Sequence, residues 1–282
     1  MTDALVSVGI PAHDNASTIG ETIDSLRQQT YRHWECFVSC DTESHATYEQ
    51  ARRSIGDDVR FTLSHNHVHP GVVGNWNEVL ARASGPLFKL LCADDVLHVD
   101  ALRVQLDAIS SHPSASLCVG RREIINHRGR TIQRDRGLKD ARSLLTLEDV
   151  ITRMLRAGTN PLGEPSFALY RTDVLRSVGG FSSTWQYTID LASYVAVLQR
   201  GDLALVDEVV GKFRVSPTSW SSSLGREQSR EMLRFVDYSL AQSGVSVPRG
   251  QLVATKIRVV LTAALRRWVA QLSGRRAGRT SS

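Results

Sequence analysis

Two adjacent carboxylates, Asp94 and Asp95, follow a largely apolar run from Pro86 to Ala93. The run is too short for an ordinary helix, and its flanking residues predict a buried β-strand. Ligands of open α/β sheets bind outside the carboxyl ends of the strands. Two acids placed there can hold a divalent cation, which can hold a diphosphate, and their oxygen ligands suit Mg²⁺ or Mn²⁺. The alternative is that one acid caps the following helix.

A third acid, Asp41, ends another predicted strand, Trp34 to Ser39. Acids at the ends of two different strands are hard to explain by helix capping alone. The chain has no GxGxxG after its first strand and no GxxxxGK[ST], which are the common glycine-rich phosphate loops. We therefore expect any bound nucleotide to be held by acids and a metal ion.

Strands alternate with helices through the first half of the chain. Ser17 or Thr18 is expected to cap the first helix, with Glu21 completing a capping box. This alternation predicts a mostly parallel central sheet with right-handed crossovers and helices on both faces. The expected strands before the acid pair are Leu5 to Ile10, Trp34 to Ser39 and Val59 to Leu63, and the expected helices begin near Thr18, Ser44 and Val73.

Two further carboxylates in the second half could do chemistry. Glu164 is fixed between Gly163 and Pro165, although a solvent-exposed turn acid would have the same sequence. Asp190 precedes an apolar helical face and suits a helix N-cap. An N-cap carboxylate can also accept a proton from a bound hydroxyl, so the structural and chemical roles of Asp190 are compatible.

Charge is distributed unevenly along the 282 residues. The segment from Arg249 to the end has eight cations and no acids. Since the whole chain carries +5 and this segment alone +8, the preceding part carries −3. Nucleic-acid proteins usually spread basic surface over the fold, so we expect no nucleic-acid partner. No apolar run is long enough to span a bilayer, and the N-terminus lacks a basic signal region, which predicts a cytoplasmic protein with reduced cysteines.

Several motifs together resemble the family 2 glycosyltransferases of the GT-A fold, over roughly residues 4 to 220. The matching stretches are Val6 to Asp14, Gln29 to Tyr31, Asn75 to Asn77 and Leu91 to Leu97. The resemblance implies a Rossmann-like α/β fold and transfer of a sugar, with inversion, from a nucleotide-sugar donor to an acceptor hydroxyl. UDP-sugars are favoured and dTDP-sugars remain open.

The resemblance also implies roles for individual residues. Asp41 would accept the uracil N3–H, Asp190 would be the general base, and Glu164 is the alternative base. Asp94 would face the ribose or sugar and share the metal, Mg²⁺ or Mn²⁺, with Asp95. The other donor-binding residues implied are Pro11, His13 and Asn77.

The chain departs from the family pattern at four places. His13 stands where Tyr is frequent, and the sequence from Cys40 to Ser44 replaces Asp-Asp-Gly-Ser. Cys92 replaces the first acid of Asp-Ala-Asp-Asp, and Ser216 replaces a His that contacts the metal or diphosphate. The alternative function is therefore an inactive nucleotide-sugar-binding or scaffold module. A nucleotidyltransferase is disfavoured because no glycine-rich basic signature follows the first strand.

We divide the chain into a donor half (1–105), an acceptor half of the same domain (106–222) and a helical C-terminal extension (223–282). The acceptor would be a glycan, glycolipid or other hydroxyl compound of the cell envelope. The extension ends in a basic amphipathic helix, which either lies peripherally on the inner face of the membrane or packs on the enzyme body or on a second subunit, as in a homodimer. Its apolar stripe comprises Val253, Ile257, Val260, Leu261, Ala264, Leu265, Trp268 and Leu272.

Overall fold

A computed structural model describes residues 3–41, 45–66, 70–216 and 227–277, with side chains to residue 264. Within these residues a ten-stranded mixed sheet is covered by helices on both faces. The strands are β1 (Val6–Ala12), β2 (Trp34–Cys40), β3 (Phe61–His65), β4 (Leu87–Leu90), β5 (Val96–Leu97), β6 (Ala115–Asn126), β7 (Thr131–Arg136), β8 (Leu144–Leu145), β9 (Ala168–Arg171) and β10 (Asp202–Val215). The helices are α1 (Ile19–Arg27), α2 (His45–Ile55), α3 (Gly71–Arg82), α4 (Ala101–Ser111), α5 (Leu147–Ala157), α6 (Thr172–Ser177), α7 (Ile189–Leu198), α8 (Glu227–Ser243) and α9 (Arg249–Ala277).

The first half of the sheet is parallel, as the alternation of strands and helices predicts. Its order is β3-β2-β1-β4, and β1 pairs in parallel with both β2 and β4. The carboxyl ends of these strands therefore meet at one edge of the sheet. Helix α3 packs closely on β1, because a Cβ on Gly9 would lie 2.5 Å from Val79 Cγ2. The parallel register thus brings the ends of β2 and β4 to either side of β1.

The second half of the sheet is mixed rather than parallel. The order continues β9-β6-β10-β5, and β9 is antiparallel to both β4 and β6, whereas β6 and β10 are parallel. Sequence predicts each of β6 and β10 as two short strands. The structure has one long strand in each case, and irregular register in β10 at Val206 and Val209 accounts for the interrupted pattern.

Two hydrophobic cores lie on opposite faces of the sheet. One core packs beneath α1, α2 and α4, and the other beneath α3, α5, α7, α8 and α9. The C-terminal helices α8 and α9 contact α5, and α8 also contacts α7. No helix in the part of the chain described here is long and apolar enough to cross a membrane.

Two local predictions were wrong, and one was confirmed. Thr18 is the N-cap of α1, but its hydroxyl donates to Ala93 O at 3.0 Å and caps no helical N–H, so the predicted capping box is absent. Neither acid of the pair caps the next helix, since α4 begins after Asp100. Thr146, in contrast, which the sequence predicts to start a helix, is the N-cap of α5 and forms a complete capping box with Asp149.

Candidate active site

The end of β2 presents Asp41 beside the chain that leaves β1. The Asp41 side chain is buried, and its Oδ1 lies 2.6 Å from His13 Nδ1. Burial alone would lower the pKa of His13, but hydrogen bonds and charge from Asp41 outweigh it and raise that pKa. Pro11 is buried in β1 opposite Ser39. The sequence that follows Asp41, residues 42–44, lies outside the described residues, as does the predicted lid at 219–223.

The two acids after β4 occupy different environments. Asp94 is half-buried, whereas Asp95 has no exposed surface. Both Asp95 oxygens accept hydrogen bonds, Oδ2 from Ser166 Oγ at 2.6 Å and Oδ1 from Arg214 N at 3.0 Å. Burial raises the pKa of both carboxyl groups. The role of Asp95 as a metal ligand stays a prediction: both of its oxygens already accept hydrogen bonds within the protein, and Asp94 is the more exposed acid of the pair.

Three elements that are distant in the sequence fix the acid turn. From α1, the Thr22 hydroxyl donates to Asp95 O at 2.8 Å. From the loop before β9, Ser166 Oγ accepts from Cys92 N at 3.0 Å. From β10, Arg214 Nε donates to Asp94 O at 2.9 Å, and the guanidinium also pairs with Glu21. Local spacing carries no signal for such contacts.

The few possible metal ligands at this turn suit a cation that substrate phosphates also help to bind. Among the residues that the structure describes, no group of three or more His, Cys, Asp or Glu side chains could hold a metal. Burial also raises the pKa of the Cys92 thiol well above its usual range, which keeps it protonated. Mg²⁺ is commonly held by one or two carboxylates together with substrate phosphates. Asp94 fits that pattern, and a cage made of protein ligands alone does not.

On the acceptor side, Asp190 lies in the first turn of α7. The N-cap of α7 is Thr188, two positions before Asp190, the predicted cap. Asp190 Oδ1 accepts from Leu191 N at 2.8 Å, and Oδ2 accepts from Asn160 Nδ2 at 2.7 Å. Burial is the largest effect that raises the pKa of Asp190, and the negative charge of Glu164 is the next. Together they outweigh the hydrogen bonds, which lower the pKa, and bring it to about 7. The carboxylate is therefore poised to exchange a proton near neutral pH.

Glu164 is clamped by a residue that the sequence did not suggest. Arg122, on β6, is only 2% exposed and pairs with Glu164 through Nε at 2.6 Å and Nη2 at 3.2 Å. Gly163 leaves room for this pair, because its φ is +100° and a Cβ there would lie 2.7 Å from Arg122 Cζ. The alternative of a freely solvated turn acid is wrong for Glu164.

Glu164 acts electrostatically on both sides of the candidate site. Its charge raises the pKa of both Asp190 and Asp95, although burial is the larger cause at each. Burial also raises the pKa of Tyr170, on β9, with a contribution from Asp190. The loop from Asn160 to Ser166 therefore connects the proposed base with the acid turn.

Glu231, from α8, holds the segment that leads into α7. Its buried carboxylate accepts backbone N–H groups from Gln186 at 3.0 Å, Tyr187 at 2.7 Å and Thr188 at 2.7 Å, together with the Thr188 hydroxyl at 3.0 Å. A carboxylate at a helix N-terminus satisfies orphan donors and favours the helix dipole. Because it comes from the C-terminal extension, sequence spacing gave no hint of it.

Both polar atoms of the Asn77 side-chain amide form hydrogen bonds within the fold. Its Nδ2 donates to Phe181 O at 2.8 Å, and its Oδ1 accepts from Phe181 N at 2.9 Å. These paired bonds anchor the Gly179-Gly180 turn against α3. The role of Asn77 in donor binding stays a prediction, although both polar atoms of its amide already bond within the fold.

Curated relatives match parts of the chain. A UDP-glucose:α-D-GlcNAc-diphosphoundecaprenol β-1,3-glucosyltransferase of Escherichia coli, WfgD, is 33% identical over 129 residues, which cover 45% of this chain and 49% of that enzyme. A putative teichuronic acid biosynthesis glycosyltransferase of Bacillus subtilis, TuaG, is 28% identical over 103 residues, or 36% of this chain and 41% of that protein. The chain thus matches about half or less of the length of these relatives.

Solved structures share the fold across nearly the whole chain. Staphylococcus aureus TarS 1–349 in complex with UDP-GlcNAc has a TM-score of 0.66 and 15% identity, covering 90% of this chain and 71% of that one. The mannosyltransferase PcManGT of Pyrobaculum calidifontis, with GDP-Man and Mn²⁺, has a TM-score of 0.64 and 18% identity, covering 95% and 75%. These likenesses confirm the predicted glycosyltransferase fold.

The family model described as "Glycosyl transferase family 2" matches residues 7–179. This match takes in Asp41 and both acids of the turn after β4. Because it spans more than half of the chain, the chain belongs to glycosyl transferase family 2.

Proposed function

We propose that this enzyme transfers a sugar from a UDP-sugar to a hydroxyl of a lipid-linked glycan, with inversion at the anomeric carbon. The observation that carries the proposal is Asp190, a carboxylate with a pKa of about 7 that Asn160 holds in the first turn of α7. WfgD, whose name gives UDP-glucose as donor and a diphosphoundecaprenol-linked sugar as acceptor, supports the substrate class.

The donor would lie along the edge formed by β1, β2 and β4. The buried Asp41 carboxylate can accept the N3–H of uracil, and His13, which hydrogen-bonds to it, offers a ring for stacking. Thymine presents the same N3–H, so a dTDP-sugar fits this pair as well. Asp94 would face the ribose and diphosphate from the end of β4.

Asp190 would act as the general base. The acceptor oxygen attacks the anomeric carbon from the face opposite the nucleoside diphosphate, and its proton passes to Asp190. The bond between the anomeric carbon and the diphosphate oxygen breaks, with its electron pair leaving on that oxygen. Asn160 and the Leu191 N–H keep the carboxylate oriented during the transfer.

Asp94 would hold Mg²⁺ or Mn²⁺ together with the donor phosphates, and the cation would neutralise the charge of the leaving diphosphate. Asp95 supports Asp94 by fixing the turn through Ser166 and Arg214. We expect Asp95→Asn to weaken the turn through its altered hydrogen bonds.

Asp190→Asn tests the reaction. The amide cannot accept the acceptor proton, so we expect transfer to fall by about 10²- to 10⁴-fold while UDP binding is retained. UDP release from a panel of UDP-sugars measures turnover, and NMR of the product gives the anomeric configuration. Asp173→Asn, an exposed acid on α6, is the matched control and should keep full activity. Near-wild-type turnover of a folded Asp190→Asn enzyme would refute the assignment.

The small metal-ligand set also favours a second candidate, a nucleotide-sugar-binding module without turnover. Calorimetry with UDP, with and without Mn²⁺, separates the two. Binding that ignores the metal, together with no turnover of any donor, would favour the module. Metal-dependent binding with turnover favours the transferase.

A further inference from the structure

The helix α9 has two apolar faces, and only one of them is covered. Its inner face packs on the enzyme body, where Val259 is 2% exposed and Thr255 donates to Leu155 O at 3.1 Å. The outer face, as far as side chains are described, consists of Val253, Ile257, Val260 and Leu261, which are 58%, 54%, 47% and 62% exposed. Packing on the enzyme body therefore accounts for the inner face alone.

The charge of this segment identifies the occupant that suits the outer face. Residues 249–282 contain eight cations and no acids. In the part of the helix with described side chains, Lys256 pairs with Asp237, and Arg258 donates to Arg156 O. These two cations therefore flank the outer apolar face and do not interrupt it. An exposed apolar stripe within a strongly basic segment is the pattern of helices that lie in the interface of anionic membranes.

A second copy of this chain is a poorer occupant. A two-fold contact brings the same patch of both copies together. Such a contact through α9 would set the +8 segment of one copy against that of the other, with no acid in the segment to compensate. Anionic lipid headgroups instead supply the opposite charge at the same surface.

We propose that α9 docks this enzyme on an anionic lipid surface, with the outer face inserted at the headgroup level and the net positive charge of the segment attracted to the lipid phosphates. The docking is independent of the transfer reaction proposed above. It would hold the acceptor side near the surface, because α9 abuts the end of α5: a Cβ on Gly158 would lie 2.9 Å from Arg258 Cβ. The loop that begins at Asn160 follows directly.

Co-sedimentation of the full chain with vesicles tests the proposal. We expect binding to phosphatidylglycerol–phosphatidylcholine vesicles, loss of that binding at high salt, and little binding to phosphatidylcholine alone. The variant Val253→Glu/Ile257→Glu should lower the partition coefficient by about tenfold or more, since it places two acids on the inserted face. Size-exclusion chromatography with light scattering reports the oligomeric state of each variant.

The matched control is Val59→Glu/Ile132→Glu, which makes the same charge change at residues that are 96% and 64% exposed elsewhere. It should bind vesicles like the wild type, and both variants should melt at the wild-type temperature. Absence of wild-type binding to anionic vesicles would overturn the proposal, as would equal loss in both variants. A wild-type dimer that only Val253→Glu/Ile257→Glu converts to monomers would assign the face to a second copy instead.

Discussion

At Asp190, opposing contacts set the proton affinity of one carboxylate. Burial and the charge of Glu164 raise its pKa to about 7, whereas the Asn160 amide lowers it. A general base must be ionised, so we expect kcat to rise by about tenfold per pH unit below pH 7 and to level off above it. Asn160→Ala should move the midpoint up, and Glu164→Gln should move it down. Shifts of the same sign in both variants would contradict the assignment.

Lys89 is a buried cation that the proposed reaction does not use. It has no exposed surface, and its ammonium donates to Gln105 Oε1 at 2.7 Å and to Ala168 O at 3.2 Å. Burial lowers the pKa of Lys89 to about 7. The unfolded chain therefore holds a proton that the folded state has lost between about pH 7 and pH 10.

We predict that Lys89 makes the free energy of unfolding rise by about 1.4 kcal/mol per pH unit above pH 7. Lys89→Met should remove this slope, although it also leaves two acceptors without a donor and so lowers stability overall. Urea unfolding from pH 7 to 9 measures the slope. Lys139→Met, at an exposed lysine, should leave the slope unchanged. A Lys89→Met slope equal to that of the wild type would show that Lys89 stays charged in the folded state.

At the scale of elements, the loop between α5 and β9 is held by an asymmetric ion pair. Arg122 is 2% exposed on its side chain and Glu164 is 26% exposed. Removal of the glutamate leaves a buried guanidinium without its ion-pair partner, whereas removal of the arginine leaves a carboxylate that water can reach. We expect Glu164→Ala to cost about 3 kcal/mol and Arg122→Met to cost less, and the double variant to cost less than the sum of the two.

Chemical denaturation of the wild type, the two single variants and the double variant gives the free energy of coupling between Arg122 and Glu164 by a double-mutant cycle. Arg121→Met on the same strand is a control, since Arg121 pairs with Asp135 and Asp207 and not with Glu164. Its cost should add to that of Glu164→Ala. Additivity between Arg122→Met and Glu164→Ala would mean that the pair contributes no coupling.

The loop also shows what sequence can and cannot reveal. The spacing of Leu102, Leu106 and Ile109 predicts α4 with its observed bounds, and Thr146 is predicted to start a helix, because both signals are local. The capping box at Thr18 failed because Ala93 O, distant in sequence, accepts the hydroxyl proton. The separate roles predicted for Asp94 and Asp95 come from the family resemblance, because their spacing alone does not show that Asp95 is fully buried and Asp94 only half-buried.

At the scale of the whole molecule, the C-terminal extension supports the segment that leads into the helix carrying Asp190. Glu231 on α8 accepts three backbone N–H groups immediately before the helix that carries Asp190. Residues that pair across such sequence distances leave no periodic signal, so the extension was predicted as an appendage. Only the three-dimensional structure shows that the extension supports the segment before α7.

We predict that Glu231→Ala lowers kcat by about tenfold or more with little change in the donor KM, because the segment before α7 loses its anchor while the edge that binds the donor is untouched. Glu231→Gln retains one acceptor oxygen and should recover part of kcat. Steady-state kinetics over a range of UDP-sugar concentrations separates kcat from KM. Glu227→Gln, an exposed acid on α8, should match the wild type. An equal rise in KM would point to general loss of structure.

The family match ends at residue 179, whereas Asp190 and Glu231 lie beyond it. A boundary drawn at the edge of sequence similarity would therefore keep Asp41, Asp94 and Asp95 and discard both Asp190, the proposed base, and Glu231, which holds the segment before its helix. Any shortened version of this enzyme made for expression or crystallisation must extend through α8. Otherwise a protein inactivated by truncation would be mistaken for a natural pseudoenzyme.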